Sequence, residues 1–177
     1  MINSYIFNEA AQAPTGLTAT SIQQTTFTLS WTTSSGSVSG YKIYKGGVLY
    51  SDVGNVITIG ITGQTEGATN TWTIKAYNGA GDLSSASSGL SVTQAVTVYS
   101  FSMSSTGRAD ATTACADAAT TTRYLTANGT LNNGNVIYTT AGGINKFNGG
   151  GLYFSDTTFS FTVSSVGVIG NKLICSG

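Results

Sequence analysis

Residues 25–31 read Thr-Thr-Phe-Thr-Leu-Ser-Trp, and Phe27, Leu29 and Trp31 recur with period two. Successive side chains of a strand point to opposite faces, so this spacing puts those three on one buried face and the hydroxyl residues on the other. The alternation returns in residues 70–77, with Trp72, Ile74 and Ala76 in phase and Thr71, Thr73 and Lys75 out of it. Residues 40–45 alternate less cleanly, with Tyr41 and Ile43 expected inward and Lys42 and Lys45 outward. A Gly46-Gly47 turn leads to Val48-Leu49-Tyr50, and residues 55–61 set Val56 against the Ile57, Ile59, Ile61 series. Short alternating segments parted by turn residues predict an antiparallel sandwich from Pro14 to about Ala95.

The outward slots are filled mostly by Thr and Ser, which together occupy 51 of 177 positions, while charged residues make up only 8%. Thr is β-branched and polar at once, so it sustains a solvated strand face without charge. Seven basic and seven acidic residues leave a formal net charge of +0. That balance gives no electrostatic basis for nucleic-acid binding, which needs clustered Lys and Arg, and none is expected. The absence of His excludes Ser–His and Cys–His nucleophile pairs and most zinc sites. No apolar run approaches the roughly 20 residues that span a bilayer, so no membrane insertion is expected. Residues 1–9 lack a basic region and a long apolar stretch, so no signal peptide is expected. No cofactor, metal site or catalytic residue is expected, and the chain is read as a non-enzyme.

The second half reads differently. Residues 98–103 predict a strand, and residues 108–119 a short helix, with Ala111, Cys115 and Ala118 at helical spacing. Hairpin signals follow at Asn128-Gly129, Asn133-Gly134 and residues 148–151. Strands are expected at 135–139, 152–154, 159–163, 167–169 and 172–175. Cys115 and Cys175 lie 60 residues apart and form no Cys-x-x-Cys motif. One reading is a disulfide closing this segment, which would place the chain outside a reducing cytosol. The other is two separate buried thiols.

Residues 13–95 resemble a fibronectin type III domain. The resemblance is carried by Ala13-Pro14-Thr15-Gly16-Leu17, by Trp31 ending the second strand, by Tyr41-Lys42-Ile43-Tyr44-Lys45, and by Ile74–Gly81 with Leu83–Ser87 as the sixth and last strands. The family's corner Tyr and preceding Leu are replaced by Asn70 and Gln64, whose amides could supply the hydrogen bond instead. Residues 98–177 resemble a small Cys-containing β-rich module of Bacteroidetes surface proteins and of virion proteins of their phages. Thr113–Ala118, Asn135–Thr139, Phe147–Tyr153 and Ile174-Cys175 carry that resemblance, which implies a bridge from the helix to the final strand. The fold expected is therefore mainly β: a leader at 1–12, a fibronectin type III-like sandwich at 13–95, and a small β-rich domain with one short helix at 98–177.

Trp31 and Trp72 could serve as sugar-stacking platforms, but their phase assigns them to the core. Asp110 and Asp117 lie seven apart and are read as solvated acids rather than a glycosidase pair. Asp82 and Asp156 sit in Asn- and Gly-rich turns that lack an Asp-x-Asp-x-Asp-Gly calcium loop. Ile2, Tyr5, Ile6 and Phe7 in the leader could add a strand to a partner's sheet, or cap the chain's own first domain. These features, with the two resemblances, lead to the expectation of a non-enzymatic bacteriophage virion protein, a capsid decoration or a head or tail fibre subunit. It would bind other virion proteins through the leader, in many copies or as a homo-oligomer, and host-surface glycans weakly through Ig-like domains. The alternative expectation is an extracellular bacterial surface adhesin or carbohydrate-binding accessory module.

Overall fold

The computed structural model describes residues 10–126 and 130–176. The chain divides into two compact units, residues 1–94 and 95–177. Among the described residues it is mainly β, with thirteen strands and one short helix.

In the first unit, β1 (Thr15–Thr20), β2 (Phe27–Thr32) and β5 (Thr58–Ile61) form a sheet in the order β1-β2-β5. A second sheet runs β4-β3-β6-β7, from β3 (Gly40–Lys45), β4 (Val48–Gly54), β6 (Thr69–Tyr77) and β7 (Leu90–Thr93). All pairings are antiparallel. Phe27, Leu29 and Trp31 from one sheet meet Tyr41, Ile43, Trp72, Ile74 and Ala76 from the other, and all are buried. Fully burying an aliphatic side chain such as Leu29 or Ile43 stabilises by about 1.5–3 kcal/mol. Edge-to-face ring pairs, Phe27 with Trp72 and Trp31 with Tyr41, join the sheets at centroid distances of 5.3 Å each. The buried Tyr41 hydroxyl accepts from the Ser34 amide at 3.0 Å.

Three expectations are corrected here. Lys45 is not outward: its register opposite Trp72 places it in the core phase at the end of β3. Its ammonium lies over the Trp72 ring, 5.9 Å from the centroid, and donates to Gln64 Oε1 at 2.8 Å. Gln64 is itself buried and also donates to the Thr62 carbonyl at 2.7 Å, so it supplies amide hydrogen bonds near the sandwich corner. Val56 and Ile57 are both exposed, because β5 begins only at Thr58; Ile61 alone of that series is fully buried. Residues 83–87 are not the last strand, which is β7. They run beside the end of β6 as a strap, with a single bridge between Leu83 and Tyr77.

The second unit holds two further sheets. One runs β10-β9-β8, from β8 (Tyr99–Met103), β9 (Thr121–Leu125) and β10 (Ile137–Tyr138). The other runs β11-β12-β13, from β11 (Leu152–Ser155), β12 (Phe159–Val163) and β13 (Ile169–Ile174). Met103, Leu125, Ile137, Phe154, Phe161, Val163 and Ile169 form its core. The helix α1 spans only Ala111–Cys115, shorter than the expected 108–119. Upstream, the Arg108 backbone is held extended by paired hydrogen bonds to Tyr153, each 2.8 Å. Asp110 then caps the helix, accepting from the Thr113 amide at 2.9 Å. The helix packs on β11 and β12. Phe154 and Phe161 pair toward the core, so by alternation the small buried Ser155 and Ser160 occupy the opposite face of those strands.

Candidate functional site

The outward face of the β4-β3-β6-β7 sheet gathers most of the first unit's polar chemistry. Register sets Tyr44 opposite Thr73, Lys42 opposite Lys75, and Gly40 opposite Tyr77. Since Ile43, Ile74 and Ala76 point into the core, Lys42, Tyr44, Thr73, Lys75 and Tyr77 point out. Like charges directly opposite are unfavourable in a sheet. Here each lysine leans diagonally onto a ring: the Lys42 ammonium lies 5.8 Å from the Tyr77 centroid, and that of Lys75 lies 5.5 Å from Tyr44. Lys42 also pairs with Asp52 on β4 at 3.4 Å.

Gly40 makes room for this arrangement. A Cβ there would come within 2.3 Å of the Tyr77 hydroxyl, so the phenol lies directly over the glycine backbone. From that position it lies within the field of the Asp52 carboxylate on β4. Partial burial, the hydrogen bond to Asp52 and the nearby carboxylate charge push the Tyr77 phenol above its ordinary pKa, while Lys42 opposes them. The result is a flat face rich in donors, with two tyrosine rings and one engaged carboxylate. At about 3.4 Å per residue, the four-residue offset between Tyr44 and Tyr77 is about 14 Å along the strands.

Other residues singled out in the sequence have local roles. Trp31 and Trp72 are buried at 4% and 0% exposure and offer no platform. Asp110 caps α1, and the hydrogen bonds from Thr113 hold its carboxyl below the usual range. Asp117 is not a free surface acid: both of its oxygens accept from Arg108, at 2.6 and 2.7 Å. The Arg108 hydrogen bonds lower its pKa. Asp82 and Asp156 close turns, Asp82 accepting from Asn78 Nδ2 at 3.1 Å and Asp156 from the Phe159 amide at 2.7 Å. No group of three metal-ligating side chains occurs among the described residues. Cys115 and Cys175 are joined in a disulfide, S–S 2.03 Å with Cα atoms 5.5 Å apart, linking α1 to the residue after β13. Ile2, Tyr5, Ile6 and Phe7 lie outside the described residues.

The family model for the fibronectin type III domain matches residues 12–104. The chain belongs to the fibronectin type III family. The fibronectin type III match takes in all seven strands of the first unit and runs through β8. The chain is 42% identical over 82 residues to chitinase Chi52 of Paenibacillus xylanexedens, covering 45% of this chain and 16% of the relative. It is 39% identical over 80 residues to chitinase D of Niallia circulans, covering 44% and 15%. With chitinase A1 of Niallia circulans it is 33% identical over 172 residues, covering 89% of this chain and 23% of the relative. The chain thus spans less than a quarter of each of these relatives.

The tyrosine–lysine face was not singled out in the sequence. Its signal was present: three of the seven basic residues fall at Lys42, Lys45 and Lys75 in the two strand segments that also carry Tyr44 and Tyr77.

Proposed function

We propose that the chain is an extracellular, non-catalytic accessory module of a bacterial polysaccharide-degrading protein directed at chitin. Its role is to hold its carrier against insoluble substrate through weak contacts. The observation that carries this reading is the sequence relationship to three chitinases, which with chitinase A1 extends over 172 residues. The disulfide supports an oxidising, extracellular setting. The donor-rich tyrosine face supports contact with a polymer that is rich in acceptors and carries apolar ring faces. Contacts of this kind are individually weak and gain strength through multivalency once a carrier supplies a second binding site. The virion expectation drew on the leader and on the resemblance of residues 98–177, whereas the relatives support the alternative adopted here.

The test is adsorption of the whole chain to insoluble polysaccharide. Incubation with chitin should deplete it from solution, and incubation with starch granules should not. Equal retention on both, or on neither, would overturn the reading.

A further inference from the structure

We propose that the outer face of β3 and β6, between Tyr44 and Tyr77, is the polysaccharide contact, and that it takes the uncharged, N-acetylated β-linked chain in preference to its deacetylated, cationic form. This rests on the accessory-module reading and assigns that reading a place and a selectivity.

Charge and hydrogen-bonding chemistry decide the occupant. Lys42 is balanced by Asp52, whereas Lys75 has no carboxylate within ion-pair distance among the described residues. The face therefore carries a net positive charge beside two phenol rings and the Thr73 hydroxyl. An acetamido sugar polymer offers carbonyl and ring oxygens as acceptors to these donors, and its pyranose C–H faces can pack on Tyr44 and Tyr77. It brings no charge of its own. A deacetylated chain brings ammonium groups, which meet Lys75 as like charges and find Asp52 already engaged. The spacing of the two rings, about 14 Å along the strands, suits successive units of one extended polymer rather than a single bound sugar. Gly40 and its contact with Tyr77 keep one ring flat against the sheet, so the platform exists before substrate arrives.

The experiment compares adsorption of the whole chain to chitin and to chitosan below pH 6, where chitosan amines are charged, for wild type, Tyr44→Ala and Lys75→Glu. Wild type should bind chitin more tightly than chitosan. Tyr44→Ala should weaken chitin binding about tenfold, the scale of one lost aromatic contact. Lys75→Glu should shift the preference toward chitosan. Thr73→Glu, at the position opposite Tyr44, reaches the same face if Tyr44→Ala fails to fold. Unchanged chitin binding by folded variants would overturn the assignment of this face while leaving the module reading intact. A wild-type preference for chitosan would overturn the selectivity. No wild-type binding to chitin would overturn both this inference and the reading it rests on.

Discussion

Ser87 docks on Ile74 through two hydrogen bonds: its amide donates to the Ile74 carbonyl at 2.8 Å, and its hydroxyl accepts from the Ile74 amide at 3.0 Å. Ser84 repeats the arrangement on Ala76, at 2.9 Å for both bonds. Strand β7 pairs with β6 only from Thr69 to Trp72, so beyond that point the β6 amides need other acceptors. Two serine hydroxyls stand in for the missing strand's carbonyls.

Ser87→Ala should therefore leave the buried Ile74 N–H without a partner and cost about 1–3 kcal/mol. Ser84→Ala, at a partly exposed position, should cost less. Urea unfolding would show a larger midpoint shift for Ser87→Ala than for Ser84→Ala, with the slope unchanged in both.

Replacing both Cys115 and Cys175 by Ala should destabilise the second unit by about 4 kcal/mol, the chain-entropy value for a loop of 60 residues. The loss should be local. Amide exchange at Phe161 and Ile169 should accelerate, while exchange at Ile43 and Ile74 should keep its wild-type rate.

Acid should weaken the second unit through two carboxylates. Asp110 and Asp117 both hold protons less readily when folded than their ordinary value of 3.8. Their contribution is thus fully present above that value and is lost as pH falls through their lowered pKa values. Asp117→Asn should flatten the acid limb of the stability profile while changing its shape little above pH 6. A profile that stays as steep as wild type would remove the Arg108–Asp117 pair from the account.

Gly40→Ala should push the Tyr77 phenol off the sheet, since the added Cβ would sit 2.3 Å from its hydroxyl. Freed from burial and from Asp52, that phenol should titrate lower, toward 10.0. Ultraviolet titration would record the shift, and overpacking should cost about 1–3 kcal/mol.

The sandwich was legible where burial alternates strictly, as in Phe27, Leu29 and Trp31 on β2 and Trp72, Ile74 and Ala76 on β6. It was less legible where one residue serves two environments. Lys45 takes the core phase opposite Trp72 while its ammonium finds the ring and the Gln64 amide oxygen, so its charge suggested the wrong face. Ser84 and Ser87 imitate backbone acceptors, which residue type alone does not reveal. In the second unit, β9 carries Thr121, Thr122 and Arg123 and was not among the expected strands; its Arg123 guanidinium covers the Phe147 ring, 4.7 Å from the centroid. Strand β10 falls inside the strand expected at 135–139 but is only two residues long, Ile137–Tyr138, paired with β9. For the candidate face, Lys42, Thr73 and Lys75 were expected outward, whereas Tyr44 and Tyr77 were given no face. Their relation to Lys42 and Lys75 required the β3–β6 register, which no local pattern contains.

The most direct measurement is a map of backbone amide shifts in the whole chain as a soluble chitooligosaccharide is added. The account predicts perturbations concentrated on β3 and β6 around Tyr44, Thr73, Lys75 and Tyr77. Perturbations centred on other elements, or none at saturating sugar, would contradict it.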